Sequence, residues 1–281
     1  MSAAKEVQID HVSRPLRWLT EAVLLVSSLL ILVPLWMVVI NSLKTRREAN
    51  LFGILPPDKL EWSNYAIVFE DGSVVRSFFN GLFMSTVSCV LIVLMAMMAA
   101  FVIGRRRSRM SEFMYYLLVA GLIVPAALVP TYWILSSLNL IGTFAGVILI
   151  YIATCLPFSV FLYTGFIKTV PRELDEAAIM DGSGQLRLLF GLIFPLLKPV
   201  TMTVVVINFI STWNEVNNQL FFLNSKHWSM PMTVYKFFGE YTQDWNLVFA
   251  DILITILPLL AIYLLAQRFI VSGLTAGAVK G

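Results

Sequence analysis

The feature that most constrains this chain is its set of apolar runs about twenty residues long, the length at which a helix crosses the hydrocarbon layer of a membrane. Six runs qualify, over 19–40, 78–104, 113–135, 144–167, 200–219 and 247–270. Inside a bilayer no water satisfies the backbone, so each run must close its own hydrogen bonds as a helix. The expectation is an all-α integral membrane protein of six transmembrane helices in a single domain over 1–281. The fifth run is the weakest, because Thr212-Trp213-Asn214-Glu215-Val216-Asn217-Asn218-Gln219 is polar. Composition agrees: 58% of residues are hydrophobic and 13% charged, where soluble domains carry roughly a quarter charged.

Several classes of function fall away at once. Cys89 and Cys155 lie inside apolar runs and read as small buried hydrophobes, not as a disulfide or metal site. The two histidines, His11 and His227, have no partner at ligand spacing. A net charge of +3 is too small to suggest nucleic acid. The first run is too long for a cleavable leader, and Asn41-Ser42-Leu43-Lys44 is not a small-residue cleavage site, so none is expected. No Gly-x-x-x-x-Gly-Lys-Ser/Thr occurs, so the chain cannot cradle nucleotide phosphates by a P-loop.

The excess of lysine and arginine in cytoplasmic loops sets the orientation. Arg105, Arg106, Arg107 and Arg109 crowd the second loop, and Lys5, Arg14 and Arg17 precede the first run. Placing both inside makes the N and C termini cytoplasmic and leaves the uncharged loop 136–143 outside. Lys44, Arg46 and Arg47 count against this scheme, in a longer loop that also carries Glu48, Asp58, Glu61, Glu70 and Asp71. Pro34, Pro125, Pro130, Pro157 and Pro258 punctuate the runs, either as hinges of a pathway or as prolines that membrane helices tolerate.

The same orientation puts the segment 170–195 in the cytoplasm. Pro171 suits the first position of a helix, and Glu173, Asp175 and Glu176 follow in its first turns, where the helix dipole favours negative charge. Leu174, Ala177, Ala178 and Asp181 share one face by their spacing, and the alanines let another surface approach closely. Gly182 is placed to end the helix in a left-handed conformation. A second amphipathic stretch then runs from Gln185 to Phe194 and stops at Pro195. A helix resting on lipid headgroups usually shows lysine and arginine on its polar face. This one is acidic except for Arg172, which favours a protein partner over an anionic leaflet.

Glu176-Ala177-Ala178, three residues, Gly182, nine residues, Leu192, one residue and Phe194-Pro195 resembles the EAA loop of binding-protein-dependent ABC importer permeases, the MetI-like family. That family prefers Ile and Leu where Leu192 and Phe194 stand here. Trp213-Asn214-Glu215 resembles its fifth-span signature. The ending Arg268-Phe269-Ile270-Val271-Ser272-Gly273-Leu274-Thr275-Ala276-Gly277-Ala278-Val279-Lys280-Gly281 resembles the MalG-like, carbohydrate-importing branch. The resemblance implies a multi-pass permease subunit of the bacterial cytoplasmic (inner) membrane, in contact with membrane lipids. Its implied partners are a second homologous permease, two cytoplasmic ATPase subunits and an extracytoplasmic solute-binding protein. No cofactor is implied in this chain, since ATP and Mg belong to the ATPase subunits. It further implies that Glu173, Glu176, Ala177, Ala178, Asp181, Gly182 and Pro195 form a coupling helix and turn docked on the ATPase. In the cytoplasmic tail 271–281, Thr275, Gly277 and Lys280 become candidate second contacts.

Polar side chains are costly within a membrane and usually face a cavity or another helix. Trp213, Asn214, Glu215, Asn217, Asn218 and Asp251 are therefore candidates for a substrate path: amides and carboxylates for a hydroxyl-rich ligand and an indole to stack on it. The same residue types also glue membrane helices together. Competing readings are an ABC permease for amino acids or peptides and an ion-coupled secondary transporter using Glu215 and Asp251. A membrane enzyme lacks the required constellation of catalytic groups.

Overall fold

A computed structural model of the chain describes residues 14–106, 108–124, 127–239 and 243–278, and the side chains of 18–261 and 264 within those ranges. It begins with α1 (Arg14–Ser42), α2 (Arg46–Ala49), α3 (Ser63–Asp71) and α4 (Val74–Arg105). Next come α5 (Arg109–Ala120), α6 (Leu128–Ser137), α7 (Phe144–Ile167) and α8 (Glu173–Met180). The short α9 (Gln185–Arg187) leads through a π-helical segment, Leu188–Ile193, to α10 (Phe194–Leu196) and α11 (Lys198–Trp213). α12 (Asn217–Phe222) and α13 (Trp245–Ala278) complete the order. Among the described residues, β pairing is limited to an isolated bridge between Phe238 and Gln243.

Among the described residues, three helices are long and apolar enough to cross a membrane: Trp18–Ser42 within α1, then α4 and α7. A fourth is added if Gln185–Leu196 and Lys198–Trp213, bent by 79°, count as one pass. Two expected helices differ in detail. The single helix expected over 113–135 is replaced by α5 and α6, with residues 121–124 and 127 outside both helices. Ser108 starts α5 ahead of the apolar run by accepting the Ser111 N–H at 3.2 Å. Pro125 lies outside the described residues. Pro130 sits in the first turn of α6, where its missing N–H costs nothing.

The helix expected over 200–219 ends instead at Trp213. Asn214 turns its amide back to the Ile210 carbonyl (3.0 Å), and the Glu215 carboxylate accepts the Asn218 N–H at 3.0 Å from each oxygen, starting α12. The polar residues in the second half of that run cap helix ends. At the other end of the chain α13 continues to Ala278, so most of the expected tail is helical.

The chain divides into two compact units. The first comprises residues up to Ile67 together with Phe237–Leu253. Its centre is a polar knot at the end of α1. Asn41 and Ser42 are fully buried, and Lys44 is 5% exposed. The Lys44 ammonium donates to Asn41 Oδ1 (3.1 Å) and the Gly53 carbonyl (2.9 Å). Asn64 donates to the carbonyls of Ser42 and Lys44 and accepts from Asn246 at 2.7 Å. Phe52 and Trp245 meet edge to face, and Arg46 pairs with Asp244. A capping box starts α2: Thr45 Oγ1 accepts the Glu48 N–H, while the Glu48 carboxylate accepts the Thr45 N–H.

The second unit comprises Val68–Lys236 and the remainder of α13 from Ile254. Its main axis is α4 packed along α7. The buried face of α4 reads Ser77, Gly81, Ser85, Cys89, Ile92, Ala96 and Ala100, mostly small residues at steps of three and four. In hydrocarbon, helices associate by close packing and not by escape from water, so a stripe of small residues is what brings two backbones together. Gly104 extends that stripe: a Cβ there would lie 2.7 Å from Ile167 Cγ2. α4 and α7 thus converge at the ends carrying Arg105 and Lys168. Val160, Tyr163 and Ile167 of α7, Val200 and Val204 of α11, and Leu188, Leu189 and Ile193 of the π-helical segment fill the same core.

Candidate functional site

The segment 170–195 is built as a projecting helix on an anchored base. The base is the π-helical turn, whose wider winding brings Leu188, Leu189 and Ile193 all into the core. The projection is α8, which has no buried residue. It starts two residues later than Pro171 suggests, because Asp175 and Glu176 both donate their N–H groups to the Arg172 carbonyl. Glu173, Asp175 and Glu176 stand in its first turn, as the dipole favours.

Its end is a Schellman motif. The Ser183 N–H reaches the Ala178 carbonyl (2.9 Å) and the Gly182 N–H reaches the Ile179 carbonyl (2.9 Å). Gly182 has φ +79° with open space where a Cβ would be, so glycine is required there by conformation alone. Pro195 does not stop the following stretch; it sits inside α10, and the 79° bend comes two residues later.

One acid fixes how α8 is held. Arg105, the last residue of α4, donates from Nη2 to Asp175 Oδ1 (3.1 Å) and sets its Nε 2.6 Å from Oδ2 as an ion pair, and its Nη1 donates to the Val170 carbonyl at 3.0 Å. Both side chains are nearly buried, 12% and 13% exposed. Contact with both carboxylate oxygens, one by a hydrogen bond and one by charge, fixes orientation as well as distance. This pairing also sorts the alanines. Ala178, one turn on from Asp175, packs against the protein's own core, while Ala177 is exposed with Glu173, Glu176 and Asp181. They do not share a single free face. Exposed apolar side chains complete the outer surface: Ile179 (59%), Met180 (87%) and Leu186 (71%).

The polar residues expected along a path divide in two. Trp213 is 1% exposed and stacked on Phe209 with Phe78 edge-on, so it backs a wall and offers no ring face. Glu215 caps α12, and its carbonyl accepts from Gln219. Gln219, which is fully buried, also donates to the Tyr151 hydroxyl (3.0 Å) and accepts the Ser229 N–H (3.0 Å). Asn214 and Asn217 are exposed, and Asn218 joins Thr131 and Thr154 on a largely apolar cavity of about 420 Å³ flanked by α6 and α7. Asp251 belongs to the other unit, where it is buried. Thr275 and Gly277 lie within α13 with side chains outside the described set, and Lys280 lies outside the described residues altogether.

Residues 92–275, which include α8 and its anchoring turn, match the family described as the binding-protein-dependent transport system inner membrane component. The chain belongs to this family. It is a transport component of the inner membrane and not an enzyme, and membership implies a system with ATPase and solute-binding partners. Among relatives, it is 34% identical over 253 residues to the melibiose/raffinose/stachyose import permease protein MelC of Bacillus subtilis, covering 89% of this chain and 91% of that one. It is 34% identical over 264 residues to the multiple sugar-binding transport system permease protein MsmG of Streptococcus mutans, covering 92% and 95%. A solved bacterial ABC transporter that imports the acidic polysaccharide alginate shares the fold, with a TM-score of 0.79 and 22% identity over 92% of this chain and 98% of that one.

Proposed function

We propose that this chain is the permease subunit of a carbohydrate ABC importer, with α8 as the helix that couples it to a separate ATPase. The observation that carries the coupling role is the contrast between base and projection. Leu188, Leu189 and Ile193 are locked into the core, yet the helix they support turns only Asp175 and Ala178 inward and shows Glu173, Glu176, Ala177, Ile179 and Met180 outward. An acidic rim around apolar side chains suits a basic cleft on a protein. The sugar permeases named among its relatives support carbohydrate as the cargo class.

The passes are α1, α4, α5 with α6, α7, α10 with α11, and α13, with both termini and α8 on the cytoplasmic side. In this arrangement a second, homologous permease completes the pathway, two ATPase chains receive the two coupling helices, and a solute-binding protein delivers the sugar from outside. ATP and Mg are bound on the ATPase chains alone. Asn214, Asn217 and Asn218 are the path candidates with polar groups left to offer. Trp213 and Glu215 shape the wall behind them.

Purification of the full chain from its native membrane tests this composition. The expected result is co-purification with a second permease chain and an ATPase that hydrolyses ATP faster when sugar-loaded binding protein is added. Sugar uptake by the purified chain alone, driven by an ion gradient, contradicts the proposal and points to a secondary transporter.

A further inference from the structure

The ends of α4, α5 and α7 and the start of α8 enclose a polar cavity of about 760 Å³. Its lining includes Arg105, Arg106, Lys168 and Arg172 against two carboxylates, Glu112 and Glu173, an excess of positive charge. The four cations come from three separate places in the sequence and converge only in the fold. Arg105 is held by Asp175. For Arg106, Lys168 and Arg172 no carboxylate lies within ion-pair reach among the described residues. Lys168 instead rests over the Tyr115 ring, its Nζ 5.4 Å from the centroid, and Arg172 reaches the Gly104 carbonyl at 3.5 Å. Tyr116, 67% exposed, stands on the same wall.

Cations at the ends of α4 and α7 complement the helix dipoles. That explains Arg105 and Lys168 but not Arg172, at the start of a helix, nor why all four border one concavity. Tyrosines and basic residues at helix ends are the side chains that meet lipid headgroups, and basic pockets between membrane helices on the cytoplasmic side accept anionic ones.

We propose that this cavity binds the phosphate group of an anionic ligand, supplied foremost by the headgroup of an anionic phospholipid. The inference rests on the topology above, which sets these helix ends at the cytoplasmic leaflet. A phosphate seated between Arg106, Lys168 and Arg172 touches the Pro171–Glu173 wall that leads into α8. Lipid composition then bears on how firmly the coupling helix is held.

The test uses the full chain in nanodiscs of phosphatidylglycerol or phosphatidylcholine, with retained lipid read by native mass spectrometry after detergent extraction. Arg106→Gln/Lys168→Gln is compared with Lys59→Gln/Lys226→Gln, a control of equal charge change, and with each single substitution in case the double variant does not fold. Two cations near an anionic surface account for a retention difference of roughly tenfold or more. Preferential retention of phosphatidylglycerol by the parent and the control, lost in the cavity variant, supports a lipid source. Binding of inorganic phosphate in phosphatidylcholine discs, lost in the same variant, supports the site with a soluble source. Equal retention in parent and cavity variant, with no phosphate binding, overturns it. Because the readout is binding and not transport, failure here leaves the importer reading standing, and failure of that reading leaves this result interpretable.

Discussion

Gly182 and Asp175 show what single positions contribute, and only one of them is readable from sequence. Gly182 sits at φ +79° with nothing near its missing Cβ, so substitution there is a matter of backbone strain, roughly 1 kcal/mol for an ordinary side chain and less for asparagine. Thermal unfolding and coupled transport should therefore rank Gly182→Asn above Gly182→Ala, and Gly182→Ala above Gly182→Val. A glycine three residues past Ile179 at the end of an apolar-faced helix announces that role locally. Asp175 does not. It reads as one of three acids favoured by a helix dipole, and Arg105 as a charge that orients the chain, because their pairing spans 70 positions and exists only once α4 and α7 have packed. Lys44 misled for a similar reason, counting as a loop charge although its ammonium is folded into a knot of amides and carbonyls. Removing one partner of a largely buried pair costs roughly 3 kcal/mol. Asp175→Asn and Arg105→Gln should each loosen α8 and lower the ratio of sugar moved to ATP hydrolysed. The swap Arg105→Asp/Asp175→Arg should recover part of that ratio, measured in proteoliposomes with the partner subunits.

Helices were legible where the apolar pattern was long and uninterrupted, as in α1, α4 and α7, and less so where polar residues end one. The run over 113–135 carries enough apolar residues for one helix, but its Gly121 and two prolines fall where α5 ends and α6 begins. The π-helical turn leaves no mark in sequence, since six residues are too few to separate its period from that of an α-helix. Contact between α4 and α7 is governed by the small-residue stripe. Gly104→Val should overpack Ile167 and cost about 1–3 kcal/mol, seen as a lower unfolding temperature in detergent. Gly165→Ala, with open space around its Cβ position, should leave that temperature unchanged. In α2, hydrogen bonds from the Thr45 hydroxyl and the Thr45 backbone N–H hold the Glu48 carboxyl below its ordinary value of 4.5. A carboxyl depressed on folding stabilises the native state above its unfolded pKa, and that contribution is lost as pH falls through the depressed value. Unfolding temperatures measured from pH 6 down to pH 3 should drop less steeply in Glu48→Gln than in the parent.

For the molecule entire, family membership and the all-helical fold account for a chain that carries no P-loop yet belongs to a transport system. It must receive the work of ATP hydrolysis through a surface, and α8 is a folded helix held only along its Asp175 and Ala178 side. The apolar runs announce the long helices, and the Glu176–Gly182 spacing announces the helix and turn that the fold forms there. The path through the membrane is harder to read, because Trp213 and Glu215 look like ligand groups in sequence and are taken up in packing and capping. The central claim is that α8 transmits hydrolysis to transport, and its most direct measurement is sugar uptake alongside ATP turnover in proteoliposomes of the complete complex, comparing the parent with Glu176→Lys. The account predicts that Glu176→Lys inserts and assembles normally but loses sugar uptake at least tenfold, along with stimulation of the ATPase by sugar-loaded binding protein. Undiminished uptake with parent-like ATP consumption in Glu176→Lys contradicts it.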